Sequence, residues 1–382
     1  MAPIFSNRSK NRILVLTAGF GDGHNAAARN IRQALESEAA RKGIGDFEAT
    51  ILDLLDEVHP VISAALRGVY RFGITYTPGL WHRLYHFSDQ IDPKSDPLGI
   101  FTKSTLRLKQ ILESYQPAAV VSTYMVYPQL LERISGRHGE LPFPTFTVVT
   151  DSGSINAVWL KGRTNRFFVA DGASKETLIQ QSIPDEKIDA LGFPIGLDFE
   201  DTTRFDAGAP APPRVLYFPM TSKSDVKKTL HAITGINSGL QLTVVLGRNE
   251  KRLGRTVHRT VKKRKDVEVI GWTDRVPELL GNHHAIIGKA GGASVQEAMA
   301  ASKPLILNYV VPGQEEGNAR LAEAKGFGLR ANAPAEVADH LRSLFDDDAR
   351  QWKEMTNAAG DAARLNSARS IASTVLNESG LS

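Results

Sequence analysis

The stretch that decides the fold reads IIGKAGGASVQEAMAASKPLILNYVVPGQEEGN and covers residues 286–318. An apolar run that ends at Gly288 predicts a buried strand, and the segment from Ser294 through Glu297 predicts the start of a helix. A second apolar run, Pro304–Val310, predicts the next strand. Strand, glycine loop, helix and strand in this order are one repeat of an α/β fold with a parallel sheet.

The same pattern of short apolar runs and helical segments extends over the rest of the chain. The runs show little alternation with polar residues, as expected for parallel strands buried on both faces. An Ala- and Pro-rich break, DAGAPAPP at 206–213, predicts a linker. We therefore expect two Rossmann-like α/β domains facing each other across a cleft, over 1–205 and 214–345, followed by a helical segment over 346–382. The predicted strands are Arg12–Ala18, Phe47–Leu54, Ala118–Thr123, Thr145–Thr150 and Arg166–Ala170, then Arg214–Pro219, Gln241–Gly247, Val267–Gly271, Ala285–Gly288 and Pro304–Val310.

The composition of the 382-residue chain excludes several classes of protein. Hydrophobic residues make up 42% and charged residues 23%, which is near the average for globular domains and excludes disorder or a fibre. The net charge of +4 fits contact with an anionic lipid or small molecule, but not a protein that coats nucleic acid. The absence of cysteine excludes disulfides and thiolate chemistry. Without a secretory signal or a long apolar run, we expect a cytoplasmic protein that binds the inner face of the membrane peripherally.

A glycine-rich loop, AGFGDGHNAAARN from Ala18, follows the first predicted strand. Its spacing is neither that of a dinucleotide site nor that of a P-loop, which disfavours both classes. The helix that begins near His24 disfavours the protonated imidazole, so this histidine could act as a general base near neutral pH. Asp151, at a later strand end, is an alternative base or a residue that orients His24. The alternative interpretations are a solvated first-turn histidine and a carboxylate that caps a turn.

The second glycine loop has the features of a nucleotide site. Lys289 and the backbone from Gly291 to Ser294 present a cation, amide groups and a hydroxyl to an anion at a helix start. Glu297 lies one turn further on the same side, where a carboxylate could accept hydrogen bonds from the two hydroxyls of a ribose. Gln314, Glu315 and Asn318 follow the next predicted strand and supply donors and acceptors suited to a hexose. A tight turn and a solvated helix face are the alternatives.

Aromatic and basic residues are mixed in the segment VISAALRGVYRFGITYTPGLWHRLYHF, at 61–87. This mixture suits insertion at a lipid interface, with arginines attracted to anionic headgroups. The alternative is a pair of core helices whose arginines extend to solvent. The candidates for membrane or acceptor contact are Arg67, Arg71, Trp81, Arg83 and Tyr85.

GKAGGASVQEAM followed by PLILNYVVPGQEEGN resembles the donor-site signature of the monogalactosyldiacylglycerol synthase and processive diacylglycerol glucosyltransferase group. That group belongs with the peptidoglycan N-acetylglucosaminyltransferase to one superfamily of GT-B glycosyltransferases. Four further blocks are similar in the same order: GFGDGHNAAARNI, TPGLWHRLYH, VVTDSGSINAVWLKGRTNRFFVA and LGFPI. The resemblance extends from about residue 12 to residue 325.

This resemblance implies an inverting family 28 enzyme of GT-B fold that moves a hexose from a UDP-sugar to a lipid, most simply diacylglycerol, without a metal or another cofactor. It implies that the second domain binds the donor, with the diphosphate at the second glycine loop, the ribose at Glu297 and the sugar at Gln314 and Glu315. The first domain would bind the acceptor, with His24 as base or phosphate contact. The donor-side candidates are Gly247, Arg248, Asn249, Gly271, Lys289, Gly291, Gly292, Ala293, Ser294, Glu297, Gln314, Glu315 and Asn318.

One segment departs from the resemblance. Relatives often carry a glycine-rich turn after the first strand of the second domain, whereas this chain has PMTSKSD at Pro219–Asp225. Side chains of this turn could replace the backbone contacts. Two other readings stay open: an acceptor that is a polyprenyl-diphosphate-linked saccharide, and a non-catalytic sensor of nucleotide sugars. The basic run at 262–265 and the acidic run at 346–348 are interpreted as solvated, and no nucleic-acid partner is expected.

Overall fold

The computed structural model describes residues 11–19, 21–77, 79, 99–136, 139–152, 155–201, 210–236 and 239–381, with only the backbone of Arg71. These residues form twelve strands in two parallel sheets with helices around them, which confirms the predicted α/β architecture. The strands are β1 Arg12–Leu16, β2 Glu48–Leu52, β3 Ala119–Ser122, β4 Thr145–Val148, β5 Arg166–Phe168, β6 Ile188–Asp189, β7 Arg214–Tyr217, β8 Gln241–Val245, β9 Val267–Ile270, β10 Ala285–Lys289, β11 Leu305–Tyr309 and β12 Gly328–Arg330.

Fourteen α-helices connect these strands within the described part of the chain. They are α1 Asp22–Arg41, α2 Leu54–Val58, α3 Pro60–Tyr76, α4 Ile100–Tyr115, α5 Tyr127–Ser135, α6 Gly172–Gln180, α7 Lys223–Thr234, α8 Glu250–Val261, α9 Val276–Asn282, α10 Gly292–Ala300, α11 Glu316–Ala324, α12 Pro334–Phe345, α13 Arg350–Ala362 and α14 Ser367–Glu378. Short 3₁₀ segments occur at Ala157–Leu160, Asp185–Lys187, Leu197–Glu200, Gly247–Asn249 and Asp347–Ala349.

The order of the strands places one topological switch point in each sheet. The first sheet has the order β2-β1-β3-β4-β5-β6, and the second has the order β12-β11-β10-β7-β8-β9. The chain therefore reverses its direction across the sheet between β1 and β3, and again between β10 and β7. Ligands of open parallel sheets bind beside the carboxyl ends of the strands at such points. The loops after β1, β3, β7 and β10 are consequently the places for chemistry.

The described residues divide into two compact units, the first built from three stretches of the chain and the second from two. The first unit takes its residues from Met1–Phe72, Leu80–Leu197 and Arg364–Ser382, and the second from Gly73–Gly79 and Asp198–Ala363. The C-terminal helical segment is thereby divided, since α13 lies in the second unit and α14 in the first. The end of the predicted linker, 210–213, is described and carries no helix or strand.

Both faces of the first sheet are buried, which explains why its strands show no polar alternation. Ile13 and Val15 of β1 pack in a cluster with α1 and α14. Leu14 and Leu16 pack on the opposite face with α4 and α5. Each such side chain is fully buried, and its burial stabilises the fold by about 1.5–3 kcal/mol.

The helix α14 is fixed to α1 by charge as well as by apolar packing. The carboxylate of Glu38, whose side chain is 2% exposed, accepts hydrogen bonds from Arg369 of α14 at 2.9 Å and from Arg41 at 2.6 Å. Burial alone would raise the pKa of Glu38, but the two arginines outweigh it and hold the pKa below 4.5. The carboxylate is therefore charged at neutral pH and holds the last helix on the first sheet.

Candidate active site

His24, the third residue of α1, lies buried at the switch point of the first sheet. The preceding Gly21 caps the helix with φ 115°, a conformation that favours glycine. The imidazole Nδ1 lies 3.0 Å from the carbonyl oxygen of Thr123 and 2.7 Å from Oγ1 of Thr150. Only 7% of His24 is exposed. The structure thus contradicts the interpretation of His24 as a solvated first-turn histidine.

The contacts of Nδ1 favour one tautomer of His24. A backbone carbonyl can only accept a hydrogen bond, so the contact with Thr123 favours a proton on Nδ1. The hydroxyl oxygen of Thr150 is the second acceptor near the same N–H. A neutral imidazole with its proton on Nδ1 has its lone pair on Nε2. Thr123 and Thr150 thus hold the imidazole at Nδ1, and the role of His24 as a base stays a prediction.

Two aromatic rings lie close to the imidazole. The ring of Tyr124 meets that of His24 edge-on at 5.1 Å, and the ring of Trp159 lies at 6.0 Å. Burial raises the pKa of Tyr124 well above its usual range, and the charges of Asp53 and Asp151 raise this pKa further. Tyr124 therefore keeps its proton at neutral pH and can donate a hydrogen bond, but it is not a candidate base.

Asp151 and Asp53 are the carboxylates of this region. Asp151 accepts a hydrogen bond from the indole Nε1 of Trp159 at 2.8 Å, so it is linked to the ring that packs near His24. Asp53 accepts one from the backbone N–H of Gly19 at 2.8 Å and thereby fixes the first glycine loop. A role of Asp151 as base or as orienting residue stays a prediction.

Arg67 is the one membrane or acceptor candidate whose side chain the structure describes. Its guanidinium pairs with Asp56 at 2.7 Å and donates to Ser63 at 2.9 Å. It also lies beside the first glycine loop, since a Cβ at Gly19 would be 3.3 Å from its Nη1. Arg67 therefore faces the loop of His24. The side chain of Arg71 and the residues Trp81, Arg83 and Tyr85 lie outside the described residues.

The donor candidates lie at the carboxyl ends of four strands of the second sheet. Those of the 3₁₀ segment Gly247–Asn249 follow β8, and Gly271 follows β9. The second glycine loop follows β10, and Gln314 and its neighbours follow β11. Because β8, β9, β10 and β11 belong to one parallel sheet, these four loops lie on the same edge of the second unit.

The helix α10 begins at this edge with its first amides unclaimed by a cap. Its N-cap is Gly291, which has no side chain to accept a hydrogen bond, and its first turn contains no acidic residue. The amide groups and the dipole of such a helix start favour an anion. Ser294 and Glu297 are both half-buried one turn apart, consistent with their proposed positions beside phosphate and ribose.

Lys289 and Glu315 form an ion pair beneath this loop. The ammonium of Lys289, the last residue of β10, contacts Oε1 of Glu315. The other carboxylate oxygen accepts the N–H of Val311 at 3.1 Å. Asn318 is also buried and donates to the carbonyl of Ala290 at 3.1 Å. The structure therefore links the loop after β10 to the loop after β11 through side chains.

The loops after β8 and β9 are fixed to each other and to the turn after β7. The N–H of Gly247 donates to the carbonyl of Gly271 at 3.1 Å. The amide of Asn249 donates to the carbonyl of Pro219 at 3.4 Å. A Cβ at Gly271 would lie 2.7 Å from a carboxylate oxygen of Glu250, so this glycine allows a close approach.

The turn PMTSKSD is held by side chains of its own domain. Arg252 donates to the carbonyls of Thr221 at 2.8 Å and Met220 at 3.0 Å. Ser222 caps α7 by accepting the N–H of Asp225 and donates to its carboxylate at 2.7 Å. This helix start is capped by its own side chains and carries a negative charge.

Sequence reasoning missed several residues that shape these sites. Thr150, Thr123 and Tyr124 lie around His24, and Asp53 holds the first loop. All four follow the ends of strands in the first sheet, and the order of those strands is the signal that would have found them. Glu250 was missed because it opens a strongly basic helix.

Two family models match this chain, one in each half. The family model of monogalactosyldiacylglycerol (MGDG) synthase matches residues 24–195, and that of the glycosyltransferase family 28 C-terminal domain matches residues 222–375. The processive diacylglycerol beta-glucosyltransferase of Bacillus cytotoxicus is 28% identical, over 96% of this chain and 94% of that protein. Its counterpart in Bacillus mycoides is 27% identical over the same shares.

Solved structures share the fold at low sequence identity. MurG of Acinetobacter baumannii superposes with a TM-score of 0.63 at 13% identity, over 96% of this chain and 99% of that one. MnaA of S. aureus, solved with UDP, gives 0.62 at 13% identity, over 97% and 98%. Two parallel sheets, each with one switch point, together with these neighbours, define the GT-B fold. The two matching family models go further: the first domain is of the MGDG synthase type, and the second is a C-terminal domain of glycosyltransferase family 28.

Proposed function

We propose that this enzyme transfers a hexose from a UDP-sugar to diacylglycerol, inverting the anomeric centre without a metal ion, at a membrane surface. The observation that carries the proposal is the open start of α10, with Glu297 one turn further, in a chain whose relatives are named diacylglycerol glucosyltransferases. The unit that contains His24 supplies the base for the acceptor.

The acceptor half of the reaction needs a base for an alcohol of high pKa. His24 Nε2 takes the proton of the acceptor hydroxyl as the hydroxyl oxygen forms a bond to the anomeric carbon. Thr123 and Thr150 hold the imidazole from behind, at Nδ1. Asp22 lies in the first turn of α1 and offsets the positive end of that helix. This favours the role of His24 as base over a role as phosphate contact.

The donor half needs positive charge where the leaving diphosphate develops negative charge. The bond from the anomeric carbon to the diphosphate oxygen breaks as the new bond forms on the opposite face, which inverts the configuration. The amides at the start of α10, with Lys289 and Arg248, stabilise the departing UDP through fixed dipoles and charges. Glu297 binds the ribose hydroxyls and Gln314 binds the hexose.

The helix α3 carries the proposed contact with the membrane. Large apolar side chains on one of its faces are exposed, including Val61 at 79% and Phe72 at 60%, whereas Ser63 on the opposite face is buried. Exposed apolar surface of this extent on a helix fits insertion at a lipid interface. Among the residues that the structure describes, no helix has the length and apolar character needed to cross a bilayer. The exposed residues are Val61, Ile62, Leu66, Val69, Phe72 and Tyr76.

The activity is tested with radiolabelled UDP-glucose, UDP-galactose and UDP-N-acetylglucosamine and with diacylglycerol in mixed micelles. Lipid extraction and chromatography should show label in a glycolipid, its β-linkage should be visible by NMR, and EDTA should leave the rate unchanged. Transfer only to a polyprenyl-diphosphate-linked saccharide would reject diacylglycerol as the acceptor. Tight UDP binding with no transfer to either acceptor would identify a sensor instead.

The membrane contact is tested by sedimentation with vesicles that contain phosphatidylglycerol. We expect Leu66→Ser and Phe72→Ser together to reduce the bound fraction several-fold, because each removes exposed apolar area that the lipid would bury. Leu106→Ser is the matched control, since Leu106 is also exposed, at 59%, but lies on α4. Equal loss in the control and in the α3 variant would reject α3 as the docking helix.

A further inference from the structure

We infer that Glu315 is a positioning residue for Lys289, and that the ammonium of Lys289, which Glu315 holds in place, contacts the diphosphate. This inference rests on the proposed function and changes one assignment made from the resemblance, in which Glu315 contacts the sugar. The ion pair between the two residues links the second glycine loop, after β10, to the loop after β11 that carries Gln314.

Glu315 is committed to protein contacts. Its side chain is 4% exposed, one oxygen pairs with Lys289, and the other accepts the N–H of Val311. Its own backbone N–H donates to the carbonyl of Val311 at 2.9 Å. A buried carboxylate is costly unless it is paired and hydrogen-bonded, and these contacts meet both conditions. Turning this carboxylate toward a sugar hydroxyl would break the ion pair with Lys289 and the hydrogen bond from the N–H of Val311.

The backbone of β10 directs the side chain of Lys289 toward the second glycine loop. The pairing of β10 with β11 is irregular between Gly288 and Lys289, because Gly288 pairs with Leu307 and Lys289 pairs with Tyr309. An irregularity of this kind redirects the side chain that follows it and is common beside active sites. The side chain of Lys289 remains 26% exposed, and an ammonium has three N–H donors, more than the pair with Glu315 uses.

The position of the ammonium also explains the glycine at the start of α10. A Cβ at position 291 would lie 2.8 Å from Nζ of Lys289, but 3.5 Å from Oε1 of Glu315. The pair therefore presents its positive end to the helix start. Ammonium and amide groups converge at Gly291, where the amides alone already favour a phosphate group.

Titration with UDP and UDP-sugar distinguishes the two roles of Glu315, because UDP has a diphosphate but no sugar. We expect Glu315→Gln to weaken the binding of UDP about tenfold, which is the effect of one charge-assisted hydrogen bond. The binding of UDP-glucose should weaken by the same factor. Uridine, without phosphate, should bind unchanged. Lys289→Gln should weaken the binding of UDP at least as much. In the double variant, Glu315→Gln should have no further effect on UDP binding.

The neighbouring Glu316 provides the matched control, since its carboxylate pairs with Arg330 instead. Glu316→Gln should leave UDP affinity within about twofold, as surface changes usually do. If Glu315→Gln weakens UDP-glucose and not UDP, Glu315 binds the sugar and this inference fails. If the wild-type chain itself binds no UDP, the proposed function fails first.

A second pair of variants tests the geometry without changing a charge. Gly291→Ala places a methyl group against Nζ of Lys289 and should weaken UDP several-fold. Gly288→Ala adds the same methyl in β10, where its nearest heavy atom would be 3.9 Å away, and should leave UDP affinity unchanged. Equal UDP affinity in both variants, with folding verified by circular dichroism, would show that Lys289 does not approach the ligand at Gly291.

Discussion

The two sheets share one architecture, but they place their candidate chemistry at different loops. In the first sheet the loop after the first strand, β1, leads to His24 at the start of α1. In the second sheet the equivalent helix, α7, is capped by Ser222 and bears Asp225 in its first turn, and the open helix start is that of α10. A helix start is therefore available to an anion only where the chain supplies neither a side-chain cap nor an acidic residue.

The largest expected effect comes from the base in the first unit. His24→Ala should reduce kcat by about 10²–10⁴-fold, the usual contribution of general acid–base catalysis, and leave the affinity for UDP unchanged. Turnover is measured with UDP-sugar and diacylglycerol, and UDP binding by calorimetry. His231→Ala on the exposed surface of α7 is the control. If His24→Ala keeps kcat within threefold of the wild-type value, His24 is not the base.

The carboxylate of α10 is expected to have the next largest effect, on binding in the second unit. Glu297→Gln should weaken UDP roughly tenfold, because a neutral amide is a poorer acceptor for two hydroxyls than a carboxylate. The loss should be absent for 2′,3′-dideoxy-UDP, which has no ribose hydroxyls. Glu323→Gln, on the exposed side of α11, is the control. An equal loss with both nucleotides would place Glu297 away from the ribose.

The stability of the first unit depends on the contact between α1 and α14. Arg369→Ala should lower its free energy of unfolding by about 1–2 kcal/mol, since it removes one of the two arginines that neutralise the buried Glu38. Lys42→Ala removes only an exposed hydrogen bond to Asn377 and should change stability by less than about 0.5 kcal/mol. Hydrogen exchange read by mass spectrometry should show the loss in peptides of the first unit. Equal loss in peptides of the second unit would contradict this assignment.

The smallest effect is a pH dependence of the second unit. Burial, with help from Arg214, lowers the pKa of His283 below its ordinary value of 6.5. The unfolded chain therefore takes up a proton at a pH where the folded chain does not, so stability falls as the pH falls through 6.5. His283→Asn should flatten this dependence in denaturant titrations at pH 7.5 and 5.5. An unchanged slope would mean that another group titrates.

All ten strands predicted from apolar runs occur in the structure, and the two missed strands are short edge strands. β6 has two residues and β12 has three, too few to form an apolar run that stands out. The predicted runs were longer than the strands because buried residues continue into the loops, as Thr17 and Ala18 do after β1. Parallel sheets are readable from sequence because burial on both faces leaves continuous apolar runs.

The candidate sites were only partly predictable. Loop residues such as Gly291 and Ser294 could be found, because glycine loops at helix starts are local patterns. The contacts of His24 with Thr123 and Thr150 join residues 99 and 126 positions apart, and no local pattern carries them. The pairing of Lys289 with Glu315 depends on the register of β10 against β11, which the sequence does not reveal.

The return of α14 to the first sheet has a consequence for synthesis of the protein. The backbone leaves the first unit near residue 198 and comes back at residue 364, after the whole second unit has been made. Until α14 emerges from the ribosome, Ile31 and Leu35 of α1 lack part of their apolar cover. During translation of the second unit, the first unit therefore exposes an apolar surface on α1 that chaperones can bind.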